Sequence, residues 1–140
     1  MIERNSFVDK QTTLGLRTYV GIGSIISNSF IGPYCSIGPY VKIGLGEHDF
    51  SNLSTSQSYE RKVILKNKTV LEGDNWVGTG AFIKQGVKLG FGSIIGANSV
   101  VTKNTENFGI YVGSPAKLIR YRFQKDRQEE ILKSKWWEKD

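Results

Sequence analysis

Aliphatic side chains recur every six residues through two stretches of the chain. In the later stretch they are Leu71, Val77, Ile83, Leu89, Ile95 and Val101. Two residues ahead of each runs a second series of mostly small side chains: Thr69, Asn75, Ala81, Val87, Ser93 and Ser99. The earlier stretch repeats the pattern with Ile25, Ile31, Ile37 and Ile43, preceded by Gly23, Ser29, Cys35 and Val41. Leu14 and Val20 keep the same period, one residue out of step with Ile25. Many of these aliphatics are followed by glycine, as at Gly32, Gly38, Gly44, Gly78, Gly90 and Gly96. A period of six does not keep one helical face inward, and each glycine would cost a helix ~1 kcal/mol. It suits a strand of a few residues followed by a corner. Residues i and i−2 share a strand face, so both series point inward. Glycine after the aliphatic lets the chain turn where a side chain would clash. Three such faces close a triangular coil of about 18 residues. Stacked coils pair at about 4.8 Å and bury their aliphatics against one another. The pattern predicts an all-β parallel β-helix in blocks 11–44 and 69–123.

Between the blocks, 45–68 breaks the register. This excursion is polar and has no glycine after Gly46. A loop this long in a compact solenoid points to function. The tail, 124–140, reads as a C-terminal α-helix. Asp126 is the expected cap, with Glu129 as its capping-box partner. Ile131, Leu132, Trp136 and Trp137 form the stripe that docks this helix on a coil. The blocks, excursion and tail make one domain, 1–140.

Composition narrows the class. The chain has 140 residues, 39% hydrophobic and 23% charged, which is too apolar for disorder. Apolar runs fall far short of the ~20 residues that span a bilayer, and the start has no apolar signal-peptide core. A cytoplasmic protein is expected. A single cysteine permits no internal disulfide. A single histidine beside it argues against a metal site. Cys35 falls in the inward series and reads as a small core residue. The net charge is +6, and the segment from Lys117 onward carries half of it. Such an excess suits nucleic acid, an anionic membrane or a phosphorylated small molecule; charge alone does not choose. Clustered Arg and Lys with interleaved aromatics are missing from the coils, which disfavours nucleic acid.

His48, in the excursion, is the only histidine. The string Gly46-Glu47-His48-Asp49 with Ser54-Thr55 six residues after the histidine resembles the loop of the xenobiotic acetyltransferase family, the virginiamycin- and type-B chloramphenicol-like members of the hexapeptide-repeat acyltransferases. Asn75-Trp76-Val77-Gly78-Thr79-Gly80-Ala81 resembles its N-x-W-I-G-x-x-A stretch, one residue shorter between Asn and Trp. Ile95 to Lys103 is similar to I-G-A-G-S-V-V-T-K. Val112 to Phe123 is similar to V-G-x-P-A-K-x-I-R-x-R-F. The resemblance runs from about residue 14 to residue 137.

The resemblance implies a left-handed coil, a homotrimer with sites between subunits, and direct acetyl transfer from acetyl-CoA without a metal. It implies His48 as the general base; imidazole, with an unperturbed pKa of ~6.5, suits proton removal near neutral pH. It places the coenzyme on Thr79, Ala97, Thr102, Lys103, Lys117 and Arg120, the basic side chains meeting phosphates. Glu47 and Asp49 flank His48, where they orient it or are simply solvated. Trp76 precedes an inward residue, so it faces out, walling the acceptor cleft or a subunit contact. The family often has an aromatic two residues before the loop serine and a proline after the threonine. Here Asn52 stands in the first place and the loop has no proline, a change that bears on the acceptor pocket. The leading expectation is therefore acetylation of a sugar hydroxyl or amine, on a nucleotide sugar or polysaccharide precursor. Antibiotic inactivation is the second. A non-catalytic scaffold or ice-binding surface is third, without the regular Thr-x-Thr ladders it needs.

Overall fold

The computed structural model describes residues 1–60, 63–64 and 67–139. Residues 61, 62, 65 and 66 of the expected excursion, and residue 140 of the expected tail, lie outside the described residues. Short parallel strands stack into three faces. Face one holds Phe7–Val8, Ile25–Ile26, Lys42–Ile43, Phe82–Ile83 and Val100–Val101. Face two holds Thr13–Leu14, Ser29–Ile31, Thr69–Leu71 and Lys88–Leu89. Face three holds Tyr19–Val20, Ser36–Ile37, Trp76–Val77 and Ile94–Ile95, and ends with the antiparallel hairpin Gly109–Gly113 and Ala116–Tyr121. The second block therefore closes on a hairpin rather than on another coil.

The six-residue register is the core. Leu71, Val77, Ile83 and Leu89 are fully buried, and so are Ile31, Ile37 and Ile43. The second series is buried with them, from Ser29 and Cys35 through Thr69 and Asn75 to Ser93 and Ser99. The polar members hydrogen-bond along the coil axis. Asn75 Nδ2 donates to Ser93 Oγ at 2.9 Å, and Thr105 Oγ1 donates to the same oxygen at 3.2 Å. Burial without such partners would cost about 1–3 kcal/mol each. Cys35 sits in this ladder 3.6 Å from Asn75 Oδ1. Burial is the main reason its thiol is pushed up to about 12, so it stays a thiol and is no nucleophile.

The early register differs from expectation at one place. Ile26, not Ile25, is the inward residue: it pairs in register with Ile43 and is fully buried. Ser24 replaces Gly23 in the second series, also fully buried. The true sequence of inward residues is Leu14, Val20, Ile26 and then Ile31, with one short corner at Ser27-Asn28. Asn28 makes that turn at φ 44°, in the left-handed region that asparagine tolerates. The apparent slip of Leu14 and Val20 was thus the correct register, and the five-residue step follows Ile26.

The glycine corners stack too closely for side chains. A Cβ at Gly78 would lie 2.6 Å from the Ala97 nitrogen of the next coil. Gly78→Ala is expected to destabilise the fold by roughly 1–3 kcal/mol, the usual cost of overpacking, read as a lower urea midpoint. An unchanged midpoint would show that the coils part without cost.

The tail packs on its own chain. The helix runs Lys125–Ser134 and is followed by a 3-10 turn at Trp136–Glu138. Asp126 is not its cap: Gln124 takes that place without a side-chain bond, and Asp126 lies in the first turn, where its charge favours the helix dipole. Lys135, at φ 44°, ends the helix, so the tryptophans leave its stripe. Trp137 stacks on Phe91 at 4.1 Å, and Trp136 meets Tyr34 edge-on at 4.8 Å. The tail therefore closes the corner between faces two and three. Among the described residues, no helix is long and apolar enough to cross a membrane.

Candidate active site

With one corner closed by the tail, the other two remain to carry chemistry. The excursion leaves the corner between faces one and two as an arm. Its outgoing strand, Glu47–His48, pairs antiparallel with Val63–Ile64, and a helical turn, Gln57–Glu60, lies between them. The root is tied to the coil: Glu47 meets Lys84 at 3.3 Å and Gln85 at 3.2 Å.

The arm fixes the His48 ring at both nitrogens. Nδ1 lies 2.6 Å from the Thr55 carbonyl oxygen. A carbonyl only accepts, so Nδ1 carries the proton and donates it there. Nε2 is left with its lone pair outward, 3.2 Å from the Gln57 side-chain nitrogen, which donates to it. The local sequence makes this geometry. Ser54 Oγ accepts the Ser56 N–H at 3.1 Å, and Ser56 Oγ accepts the Ser58 N–H at 3.2 Å. These serine turns present the Thr55 carbonyl to the ring and start the helical turn that carries Gln57. Both flanking acids have partners other than the imidazole. Asp49 accepts from the Ser51 backbone and hydroxyl at 2.9 and 2.6 Å, which spends it on its own turn. Glu47 is held by Lys84 and Gln85.

The corner between faces three and one is open. Gly38, Pro39, Trp76, Gly78, Thr79 and Ala97 lie along an apolar groove of about 460 Å³. Thr79 and Ala97 follow stacked glycines, and the Asn98 N–H donates to the Thr79 carbonyl at 2.8 Å. Thr79 and Ala97 line the groove where the chain turns from face three to face one. Trp76 is 58% exposed and forms one wall. The terminal hairpin adds charge: Lys117 is opposite Val112, whose side chain packs against Gly96. Arg120 is further along the strand, opposite Ile110.

The expected coenzyme residues therefore separate. Trp76, Thr79 and Ala97 line the groove at the open corner, and Lys117 lies on the hairpin opposite Val112. Thr102 lines a polar cavity of about 270 Å³ with Lys84 and Gln85, on the arm's corner, and Lys103 follows it there. His48 stands on that corner too, not in the groove of its own chain. No group of three or more His, Cys, Asp or Glu among the described residues could hold a metal. Sequence reasoning missed Gln57, the Thr55 carbonyl and Pro39. Pro39 was within reach of the register: it sits two residues after an inward isoleucine, as Thr79 and Ala97 follow their own inward residues.

No family model matches the chain. It is 46% identical over 72 residues to a probable macrolide acetyltransferase of Lysinibacillus sphaericus, a match covering 51% of this chain and 40% of that protein. It is 41% identical over 69 residues to a chloramphenicol acetyltransferase of Klebsiella aerogenes, covering 49% and 33%. The matches thus span less than half the length of these relatives. Among solved structures, a hexapeptide-repeat acetyltransferase from Vibrio cholerae superposes with a TM-score of 0.76 at 23% identity, over 88% of this chain and 70% of that one. An N-acyltransferase from Bacillus cereus, solved with dTDP-4-amino-4,6-dideoxyglucose and coenzyme A, gives 0.75 at 23% identity, over 95% and 76%. These neighbours share the expected left-handed parallel β-helix. The buried six-residue register and the three-faced coil are thus the fold of the hexapeptide-repeat acetyltransferases, and half of the chain is similar in sequence to antibiotic acetyltransferases.

Proposed function

We propose that the protein transfers an acetyl group from acetyl-CoA to a hydroxyl or amine of a sugar, with His48 as the general base. The observation that carries the reading is the His48 ring, whose Nδ1 is spent on the Thr55 carbonyl at 2.6 Å so that Nε2 presents a lone pair. The acceptor oxygen or nitrogen attacks the thioester carbonyl carbon as its proton passes to Nε2. The carbonyl oxygen gathers negative charge, which a backbone N–H along the coil edge stabilises. The C–S bond then breaks, and the coenzyme thiolate takes the proton from the imidazolium. The acetyl ester or amide and free coenzyme A are the products.

The open groove fits the coenzyme arm. Its small corner residues leave room for it. Lys117, exposed at the hairpin, is a phosphate partner, with Arg120 behind it. Lys117→Glu is expected to raise the acetyl-CoA KM roughly tenfold, the scale of one charged hydrogen bond, with the acceptor KM little changed. An unaltered coenzyme KM would leave Lys117 a surface charge only.

The groove and the histidine lie on different corners of one chain, which favours a site built between subunits of a homotrimer. In that arrangement Thr102 and Lys103 stand on the side of the cleft that carries the arm. A cytoplasmic location, where acetyl-CoA is made, accompanies this reading.

A sugar acceptor is supported by the altered loop around Asn52 and by the amino-sugar complex of the Bacillus cereus neighbour. Antibiotic acetylation is the second reading, favoured by the identity to the macrolide and chloramphenicol enzymes. The test is thiol release from acetyl-CoA with a panel of sugars, nucleotide sugars, macrolides and chloramphenicol. Turnover confined to the antibiotics would replace the sugar reading, and no turnover with any acceptor would sink both.

A further inference from the structure

The structure leaves one polar contact of the base unassigned. Gln57 is not among the residues that resemble the acetyltransferase loop, yet its amide nitrogen is the atom facing His48 Nε2, at 3.2 Å. We propose that Gln57 is a positioning residue that keeps the His48 lone pair on Nε2 and yields that place to the acceptor; this rests on the reading of His48 as the base.

Which imidazole nitrogen carries the proton is set by what the other nitrogen meets. The Thr55 carbonyl, at 2.6 Å, demands a donor at Nδ1. The Gln57 amide supplies a donor at Nε2, so the second contact favours the same tautomer as the first. The two contacts also fix the plane of a ring that is otherwise exposed on the arm. An acceptor hydroxyl is itself a donor toward Nε2, so it replaces the amide like for like. Gln57 is placed to do this because it opens the turn that Ser56 caps through the Ser58 N–H at 3.2 Å. The fit depends on the amide. A carboxylate at this position is acceptor-only. It would compete with the Thr55 carbonyl and draw the proton onto Nε2, where a base has no lone pair to offer.

A chain with one histidine makes the test direct. Long-range proton–nitrogen correlation spectra of the isotope-labelled full chain report which ring nitrogen is protonated, with no substrate present. The wild-type neutral ring is expected to show the proton on Nδ1. Gln57→Glu should move it to Nε2 and lower kcat by at least ~10²-fold, the low end of what a general base supplies, with acetyl-CoA KM unchanged. Gln57→Leu, which neither donates nor accepts, should give a mixture of the two tautomers and a smaller loss in kcat. Gln57 is exposed, so the variants are expected to fold, and a thermal melt checks this. A wild-type ring protonated on Nε2, or ring nitrogens unmoved in both variants, overturns the proposal even if the enzyme turns over. If the protein shows no transferase activity but the ring nitrogens respond as stated, the positioning role stands and the assignment of the reaction falls instead.

Discussion

Replacing His48 with alanine should lower kcat by at least ~10²-fold, since a positioned general base contributes that much or more. Acetyl-CoA binding should be little affected, because the groove proposed for the coenzyme lies on a different corner of the coil. His48 is the only histidine in the chain, and the acids on either side are spent elsewhere, Glu47 on Lys84 and Asp49 on Ser51. The Cys35 thiol is buried in the core and pushed up to about 12. His48 itself is exposed and contributes nothing to the core, so the loss cannot be assigned to unfolding if the melting temperature holds. Steady-state kinetics by thiol release, at saturating acetyl-CoA, checks the size of the effect. Turnover near that of the wild-type protein would remove His48 from the mechanism and leave the arm without a chemical role.

The coil was legible because its physics is repetitive. A buried side chain every six residues, with a small one two places earlier, leaves few alternatives to a three-faced parallel stack. The register failed only at Ile25, where one corner is a residue short. A single deletion inside a repeat reads as a slip of the residues before it, so Leu14 and Val20 looked displaced while the fault lay at Ser27-Asn28. The tail failed for a different reason. Asp126 and Glu129 have capping-box spacing, but the chain enters the helix two residues earlier, from Gln124. Trp136 and Trp137 were assigned to a helical stripe, yet the aromatic rings of Tyr34 and Phe91 hold them beyond the helix end. The site was legible as a set of residue types but not as a place. The family resemblance put Thr79, Ala97, Thr102 and Lys103 along one coenzyme. A triangular coil sends successive corners in different directions, so Thr102 and Lys103 turn away from the groove. The contacts of His48 were out of reach for another reason. One is a backbone carbonyl, which every residue carries, and the other is a glutamine in a polar loop. Neither leaves a mark that composition or spacing can pick out.

That separation of corners leads to the second large effect, restoration of activity by mixing two inactive proteins. His48→Ala removes the base. Ala97→Trp fills the groove with an indole at an exposed position, so the coil should survive while coenzyme binding is lost. If each site takes its histidine from one subunit and its groove from the next, mixed assemblies contain some intact sites. In a closed ring of three assembled at random from equal amounts, about a quarter of the sites would pair a wild-type arm with a wild-type groove. If each site lay within one chain, none would. The surfaces concerned favour the shared site. The arm carries Phe50 and Leu53, 84% and 96% exposed, and the open corner carries Tyr40 and Trp76, 55% and 58% exposed. Large exposed apolar side chains on two separate surfaces of one molecule suit an intersubunit contact. If the two surfaces meet, they differ, so the contact is head-to-tail, and a closed ring avoids fibres. Light scattering should therefore give about three times the 15.7 kDa chain mass. The variants are to be unfolded, mixed and refolded together, with distinct tags confirming mixed trimers. Recovery toward a quarter of wild-type turnover is the expected result. A monomer mass at micromolar concentration, or verified mixed trimers with no recovery, would return the whole site to a single chain and require the arm to fold across to its own groove.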